Sequence, residues 1–318
     1  MLKYLGKRML SVASVLVILS IFVFALVHMT PGEPARNILG NEASEEQVKE
    51  LRDQLGLNEP IATQYVNWAI KALHGDLGES YYSSMTVVQS IREHLGPSLI
   101  LSFWAQLLAV LIGVPAGILA AKRKGEKIDT ALTGVATLGL SLPSFLLSLF
   151  LIMVFGVSLK LLPPSGYVEL GQNVGEHFLH LIMPVVALGC MQAALITRMT
   201  RSSMIEVLST DYIKTARAKG LREGTVLWKH ALKNALNPIL TVVGQSIGTL
   251  ISGVAVVETV FNIPGIGQLI VSAILKRDYA LIQGVVLVVS LIYVIINFVV
   301  DMLYGVVDPR IRLTGASK

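Results

Sequence analysis

Six blocks of this sequence, at about 9–29, 97–121, 131–156, 178–199, 238–257 and 281–303, are apolar over lengths near the twenty residues with which an α-helix crosses a hydrocarbon layer. That pattern constrains the chain more than any motif does. A backbone in lipid has no water to bond to, so each block must satisfy its own amides as a helix. Composition agrees: 53% of the 318 residues are hydrophobic and 15% charged, against about a quarter charged in soluble proteins. A soluble core of that size would leave too few polar residues to cover its surface. The expected fold class is an all-α integral membrane protein, a bundle of six transmembrane helices. The only cysteine, Cys190, falls inside an apolar block. It rules out an intrachain disulfide and reads as a small packing residue. Lys3, Lys7 and Arg8 before the first block resemble the start of a signal peptide. The block runs on to Met29 with no small-residue cleavage site, so it is read as a retained first helix.

Residues 30–96 differ from the rest. They are polar and acidic, and Ser44 with Gln47 has the spacing of a capping box at the head of SEEQVKELRDQLGL, with Gly56 as its stop. A second short helix is predicted from Pro60 to about Leu73. The chain thus divides into an N-terminus with the first helix (1–29), an extracytoplasmic subdomain (30–96) and a core (97–318) that holds five spans and a loop at about 200–237. Lysines and arginines orient the spans. With the N-terminus inside, 18 of the 26 fall on cytoplasmic segments and 8 outside. The positive-inside rule then places both termini in the cytoplasm, which accounts for the net charge of +5 without nucleic acid.

Pro115, Pro143 and Pro184 lie within spans, where neighbouring helices re-satisfy the loosened backbone. Gly113-x-x-x-Gly117 and Gly244-x-x-x-Gly248 are small-residue patterns that allow close helix packing. No internal repeat of the kind that builds inverted-repeat carriers is visible. Ser98, Ser102 and Gln106 form one polar stripe, and Gln245, Thr249 and Ser252 another. Such stripes line a path or bond between helices. No span carries a charge near its middle, which argues against an ion-coupled pump. Glu258 and Asp301 stand near span ends, positions for snorkelling or a helix-terminal contact. His177 and His180 share a helix face beside Glu176, a spacing that suits a metal but equally an aromatic-rich membrane interface.

The loop DYIKTARAKGLREGTVLWKHALKNALNP is too patterned for a connector. Ser209 and Thr210 are placed to cap a helix from Asp211 to about Lys219, and Gly220 to end it in the left-handed region. A second helix is predicted from Thr225 to Leu236, with Pro238 at the entry to the next span. A helix–glycine–helix elbow suits docking into a groove of a cytoplasmic partner.

Those residues resemble the cytoplasmic loop of the binding-protein-dependent ABC importer permeases. With Gly220 on the motif glycine, Lys214, Thr215 and Ala216 occupy the EAA positions, so the general pattern's Glu is absent. The TARAKG wording is similar to the dipeptide/oligopeptide/nickel branch, glutathione-type systems included. VHMTPGEPAR, HGDLGES, RMTRSSMIEVL, VETVFNIPGIGQL, RDY and DMLYGVVDPRIR agree in order along essentially the whole chain. The resemblance implies a non-enzymatic permease subunit in a prokaryotic inner membrane. It works with a second homologous permease, two cytoplasmic ATPase subunits and an extracytoplasmic substrate-binding protein. Ser209, Asp211, Tyr212, Thr215, Ala216, Arg217, Ala218, Lys219, Gly220 and Leu221 are implied as the ATPase-coupling loop. The chain lacks a G-x-x-x-x-G-K-[ST] phosphate loop, so ATP and Mg are expected in the partner subunits and no cofactor on this chain. The segment FNIPGIGQLIVSAILKRDY is a place for the binding protein to land, or a plug packed on the bundle. The cargo implied is a peptide or peptide-like solute. Nickel or a nickel chelate is the alternative within the family, and an ion-coupled carrier or channel the alternative outside it.

Overall fold

The computed structural model describes residues 2–29, 34–40, 43–54, 56–80, 82–83 and 85–307. They form α1 (Leu2–Met29), α2 (Pro34–Leu39), α3 (Glu45–Gln54), α4 (Ile61–Leu73), α5 (Val87–Lys122), α6 (Lys127–Ser141), α7 (Ser144–Leu151), α8 (Val174–Leu208), α9 (Asp211–Ala218), α10 (Glu223–Thr225), α11 (Leu232–Phe261), α12 (Ile266–Lys276) and α13 (Tyr279–Val307). Two π-helical stretches, Ile152–Ser158 and Val226–Ala231, extend α7 and join α10 to α11. The chain is mostly helical, and among the described residues the one strand-like pairing is a bridge between Glu79 and Thr86.

Among the described residues three helices are each long and apolar enough to cross a membrane, at 87–122, 174–208 and 279–300, while α1 contributes an apolar run at Val12–Ala25. The third predicted span is corrected. It is not one helix over 131–156 but two, Lys127–Ser141 and Ser144–Ser158, bent by 100°. Pro143 is the cause: its ring drives Leu142 out of the α region, to ψ 116, and the helix ends there. Pro115, Pro184 and Pro238 are instead carried inside helices that continue past them.

The chain forms two compact units, Met1–Gly96 with Gln268–Ile295, and Pro97–Gly267 with Ile296–Lys318. In the first, the capping box is realised in both directions: the Ser44 amide donates to Gln47 Oε1 at 3.0 Å and the Gln47 amide to Ser44 Oγ at 3.3 Å. α3 then stops as expected at Gly56, with φ +66. α4 matches its predicted limits and packs on α1. Buried Asp278 accepts from the Ser80 hydroxyl and from the Leu281 amide, so it closes the N-terminus of α13 while tying down the HGDLGES loop.

In the second unit α5 and α8 meet along small residues. A Cβ on Gly113 would come within 2.8 Å of the Ala193 carbonyl oxygen and of Ile196, and one on Gly117 within 2.7 Å of the Thr197 oxygen. The first small-residue pattern is therefore a helix–helix seam. Above it lies an apolar cluster of Leu101, Leu181, Met183, Leu250, Val257 and Phe261. Below it lies another, of Ile118, Met204, Ile213, Val226, Leu227 and Ile239. Near the lower cluster, Arg201 of α8 clamps Asp129 of α6 through two bonds of 2.6 and 2.8 Å. Asp129 also accepts from the Gly125 amide at 2.9 Å, and its side chain is only 6% exposed.

Two outcomes follow for the purified protein. Asp129→Ala strands a mostly covered guanidinium and should cost about 2–3 kcal/mol, read as a lower thermal midpoint. The swap Asp129→Arg/Arg201→Asp should recover part of that loss, and no recovery would deny the pairing. Gly117→Ala should cost about 1–3 kcal/mol through overpacking. Gly134→Ala, at a site with open space around it, should be neutral or slightly stabilising.

Candidate functional site

The elbow begins where α8 ends. Ser209 and Thr210 were expected to cap α9, but their hydroxyls turn back and donate to the Glu206 and Val207 carbonyls at 2.7 and 2.5 Å. The last carbonyls of α8 lack helical partners, and these two donors are within reach. Thr210 still stands at the N-cap of α9, with extended backbone and no side-chain cap bond. At the other end Gly220 takes φ +78. Its amide donates to Arg217 O at 2.9 Å and the Leu221 amide to Ala216 O at 3.4 Å, the paired bonds of a Schellman stop. The sequence placed this stop correctly.

α9 is seated by two residues only. Ile213 and Ala216, three apart, are buried, and Ile213 joins the cluster formed by the ends of α5 and α8. Asp211, Tyr212, Lys214, Thr215, Arg217, Ala218, Lys219, Gly220 and Leu221 are all exposed. One face is thus anchored to two long helices while the other offers cations and apolar surface together. Tyr212, Leu221 and Trp228 are large apolar side chains exposed there by 42%, 40% and 54%.

The second predicted helix is corrected in extent. It starts at Glu223, passes through the π-helical turns, and continues through Pro238 to Phe261 without a break at the expected span entry. Its start is fixed by a contact the sequence reading did not single out. Arg217 donates to both Glu223 carboxylate oxygens, at 3.2 and 2.8 Å, across the Gly220 turn. Opposite charges six residues apart around a glycine were the available signal. The hydrogen bonds from Arg217 hold the Glu223 carboxyl below its usual range, and the Glu223 carboxylate raises Arg217 in turn. A depressed carboxyl stabilises its folded state above the ordinary carboxylate pKa and loses that contribution as pH falls through the lower value, so the clamp is intact at neutral pH. Tyr212 adds a second tie, its hydroxyl donating to His230 O at 3.3 Å.

The polar stripes fare differently. Ser98 is buried and engaged: its hydroxyl donates to the Glu258 carboxylate and accepts the Ile266 amide at 2.7 Å. Glu258, fully buried, is found in a helix-terminal contact and does not snorkel. The Pro264–Gly265 turn folds directly over its carboxylate. Ser102 is partly buried. Gln106 accepts from Ser246 at 2.9 Å, a neighbour of the predicted stripe, while its Nε2 is buried without a partner. Gln245 is exposed. The side chains of Thr249, Ser252 and Asp301 lie outside the described residues. His177 is buried with Nδ1 at 2.6 Å from the Val168 carbonyl, and His180 Nδ1 lies 2.8 Å from the Glu176 carbonyl. Edge-on Tyr167 and Phe178 enclose the His177 ring, which accounts for it as packing.

The family model for the binding-protein-dependent transport system inner membrane component matches residues 113–313, and its N-terminal companion matches residues 1–102. A protein of Sinorhizobium fredii named as a probable peptide ABC transporter permease is 45% identical, over 97% of this chain and 99% of its own length. A dipeptide transport system permease of Alkalihalophilus pseudofirmus is 41% identical, over 98% and 100%. A glutathione transport system permease of Shigella flexneri is 42% identical, over 98% and 99%. An inward-facing structure of the MetNI methionine ABC transporter superposes with a TM-score of 0.58 at 18% identity, covering 69% of this chain and 97% of the other, and shows the shared fold. The chain belongs to the family of binding-protein-dependent transport system inner membrane components.

Proposed function

We propose that this chain is a permease subunit of an ATP-binding-cassette importer for peptides or peptide-like solutes, with six membrane crossings and both termini in the cytoplasm. A second permease completes the translocation path, two cytoplasmic ATPases supply the energy, and an extracytoplasmic binding protein delivers the cargo. ATP and Mg bind the ATPases, not this chain. The observation that carries the reading is the elbow at 209–221. It is held rigid from below by Ile213 and Ala216 and locked across its turn by Arg217 and Glu223. Its exposed face has the mixture of cations and aromatics that a docking surface uses. A self-sufficient carrier or channel has no use for such an element.

Gln245, with Thr249 and Ser252, remains the proposed lining of the path, joined by Ser102 and Gln106. Ser98 is better accounted for by its bond to Glu258. The names of the relatives support peptides, dipeptides or glutathione as cargo and give nickel no support.

The elbow is tested in the reconstituted importer. Gly220 has open space around it, so a side chain there meets only the penalty of a positive φ, about 1–2 kcal/mol. Gly220→Val should leave the complex assembled but reduce the stimulation of ATP hydrolysis by loaded binding protein, and uptake with it. Gly220→Asn, which tolerates that conformation, should keep most of both. Equal coupling in wild type and Gly220→Val would count against docking at this turn. Cargo is read separately, by calorimetry on the purified binding protein with dipeptides, longer peptides, glutathione and Ni²⁺. The expected result is binding of one of the first three, and binding of Ni²⁺ alone would overturn the peptide assignment.

A further inference from the structure

Helix α4, IATQYVNWAIKAL, carries a single charge, Lys71, and buries none of its residues within the protein. At about 100° per residue its side chains sort into three sectors. Tyr65, Trp68, Ala69 and Ala72 point one way, and Thr63, Gln64, Asn67 and Lys71 another. Between them lie Val66, Ile70 and Leu73, exposed by 50%, 50% and 87%. The first sector is occupied by α1. The Tyr65 and Ser20 hydroxyls share a hydrogen bond of 2.8 Å, and the Phe24 ring packs against Tyr65 and Trp68 at centroid distances of 5.4 and 5.8 Å. In the polar sector Gln64 donates to the Leu57 and Glu59 carbonyls and Asn67 to the Glu59 carboxylate, while Thr63 and Lys71 stay exposed; the apolar sector stays exposed among the described residues.

The attachment point says what covers it. Phe24 and Ser20 lie about 8 and 14 Å along the helix from Met29, at 1.5 Å per residue. A helix docked there sits below the end of α1, within the thickness that α1 spans. Beside it, Val15, Val17, Ile18, Ile21 and Phe22 of α1 are exposed apolar residues continuous in kind with the stripe on α4. Tyr65 and Trp68 are the ring types that settle at a membrane interface. Lys71 has a stem long enough to bring its ammonium up to the headgroups.

We infer that α4 lies in the outer headgroup–acyl boundary of the bilayer, with Val66, Ile70 and Leu73 in lipid and Thr63, Asn67 and Lys71 toward water. It acts as an interfacial anchor that holds the extracytoplasmic segment down on the membrane. The 30–96 region is then not wholly extramembrane. The inference rests on α1 being a membrane span, which the same experiment checks.

The assembled importer, with Cys190→Ala removing the only native cysteine, is spin-labelled singly and placed in phosphatidylcholine–phosphatidylglycerol liposomes. The labels sit at Val66→Cys, Ile70→Cys and Leu73→Cys, at Thr63→Cys and Asn67→Cys, and at Ile18→Cys. Power saturation compares collision with oxygen, which concentrates in lipid, and with a nickel chelate confined to water. The expected ratio of oxygen to chelate accessibility is about tenfold higher at 66, 70 and 73 than at 63 and 67, a partition difference of about 1.4 kcal/mol. Equal ratios on the two faces would put α4 in water and overturn the proposal. Exclusion of both reagents at 66, 70 and 73 would show protein covering the stripe and overturn it equally. A water-like ratio at Ile18 would remove the α1 span and the anchor with it, whereas a lipid-like ratio there beside water-like values at 66, 70 and 73 would defeat the anchor alone.

Discussion

The close approach of α5 and α8 is the contact on which the functional part of this protein stands. Gly113 and Gly117 leave no room for side chains on one helix, and the Ala193–Thr200 stretch meets them with carbonyls and small groups. In lipid there is little hydrophobic gain in bringing two helices together, so close backbone packing has to supply the attraction. The consequence is local and useful. With the helices pinned there, Ile118 and Met204 emerge side by side and form the floor on which Ile213 of α9 rests. Move the helices apart and the elbow loses its seat before any of its own residues change.

Buried carboxylates do the corresponding work at helix ends. Asp129, Glu258 and Asp278 are almost fully covered, and each receives hydrogen bonds from groups that would otherwise lack a partner: the Gly125 amide and Arg201, Ser98 with its link to the Ile266 amide, and Ser80 with the Leu281 amide. A covered charge is costly to leave unpaired. These sites therefore fix where a helix turns or starts more sharply than apolar contacts, which slide at small cost.

That distinction decides what the sequence disclosed. The Ser44–Gln47 box and the Gly220 stop are local signals found at their predicted places, whereas the apolar blocks mark helices but not their ends: α5 begins at Val87, well before its block, and α8 runs on to Leu208. The break at Pro143 and the continuity through Pro238 were not separable from local sequence. Both prolines sit in apolar runs, and what differs is the backbone on either side. The long-range ties left no periodic trace. Asp129 and Arg201 are 72 residues apart, and Ser80 and Asp278 belong to the HGDLGES and RDY segments, which read as separate motifs until the fold joined them. Ser98 is a different case. Four-residue spacing put it on a polar stripe with two readings, path lining or a bond between helices, and only the fold shows that its hydroxyl bonds to buried Glu258.

The extent of the second elbow helix matters most for mechanism. A separate helix ending before Pro238 would have left a hinge between the elbow and the membrane. Instead one helical course runs from Glu223 to Phe261, past exposed Gln245, to the Glu258 contact at its far end. In the proposed role, a push on the elbow enters a helical course held at one end by Arg217 and Glu223 and, beyond its bend, by Ser98 and Glu258. Two irregularities lie along that course: the π-helical turns at Val226–Ala231, on the elbow side of the proposed path, and a bend of 53° between Glu223–Gly248 and Gly253–Phe261. Gln245 stands between the two, on the stretch that reaches Gly248, so a displacement of the elbow would be carried to it by the turns that precede the bend. Motion applied at the elbow then reaches Gln245 through continuous helix, and the bend beyond it separates that motion from the Glu258 contact.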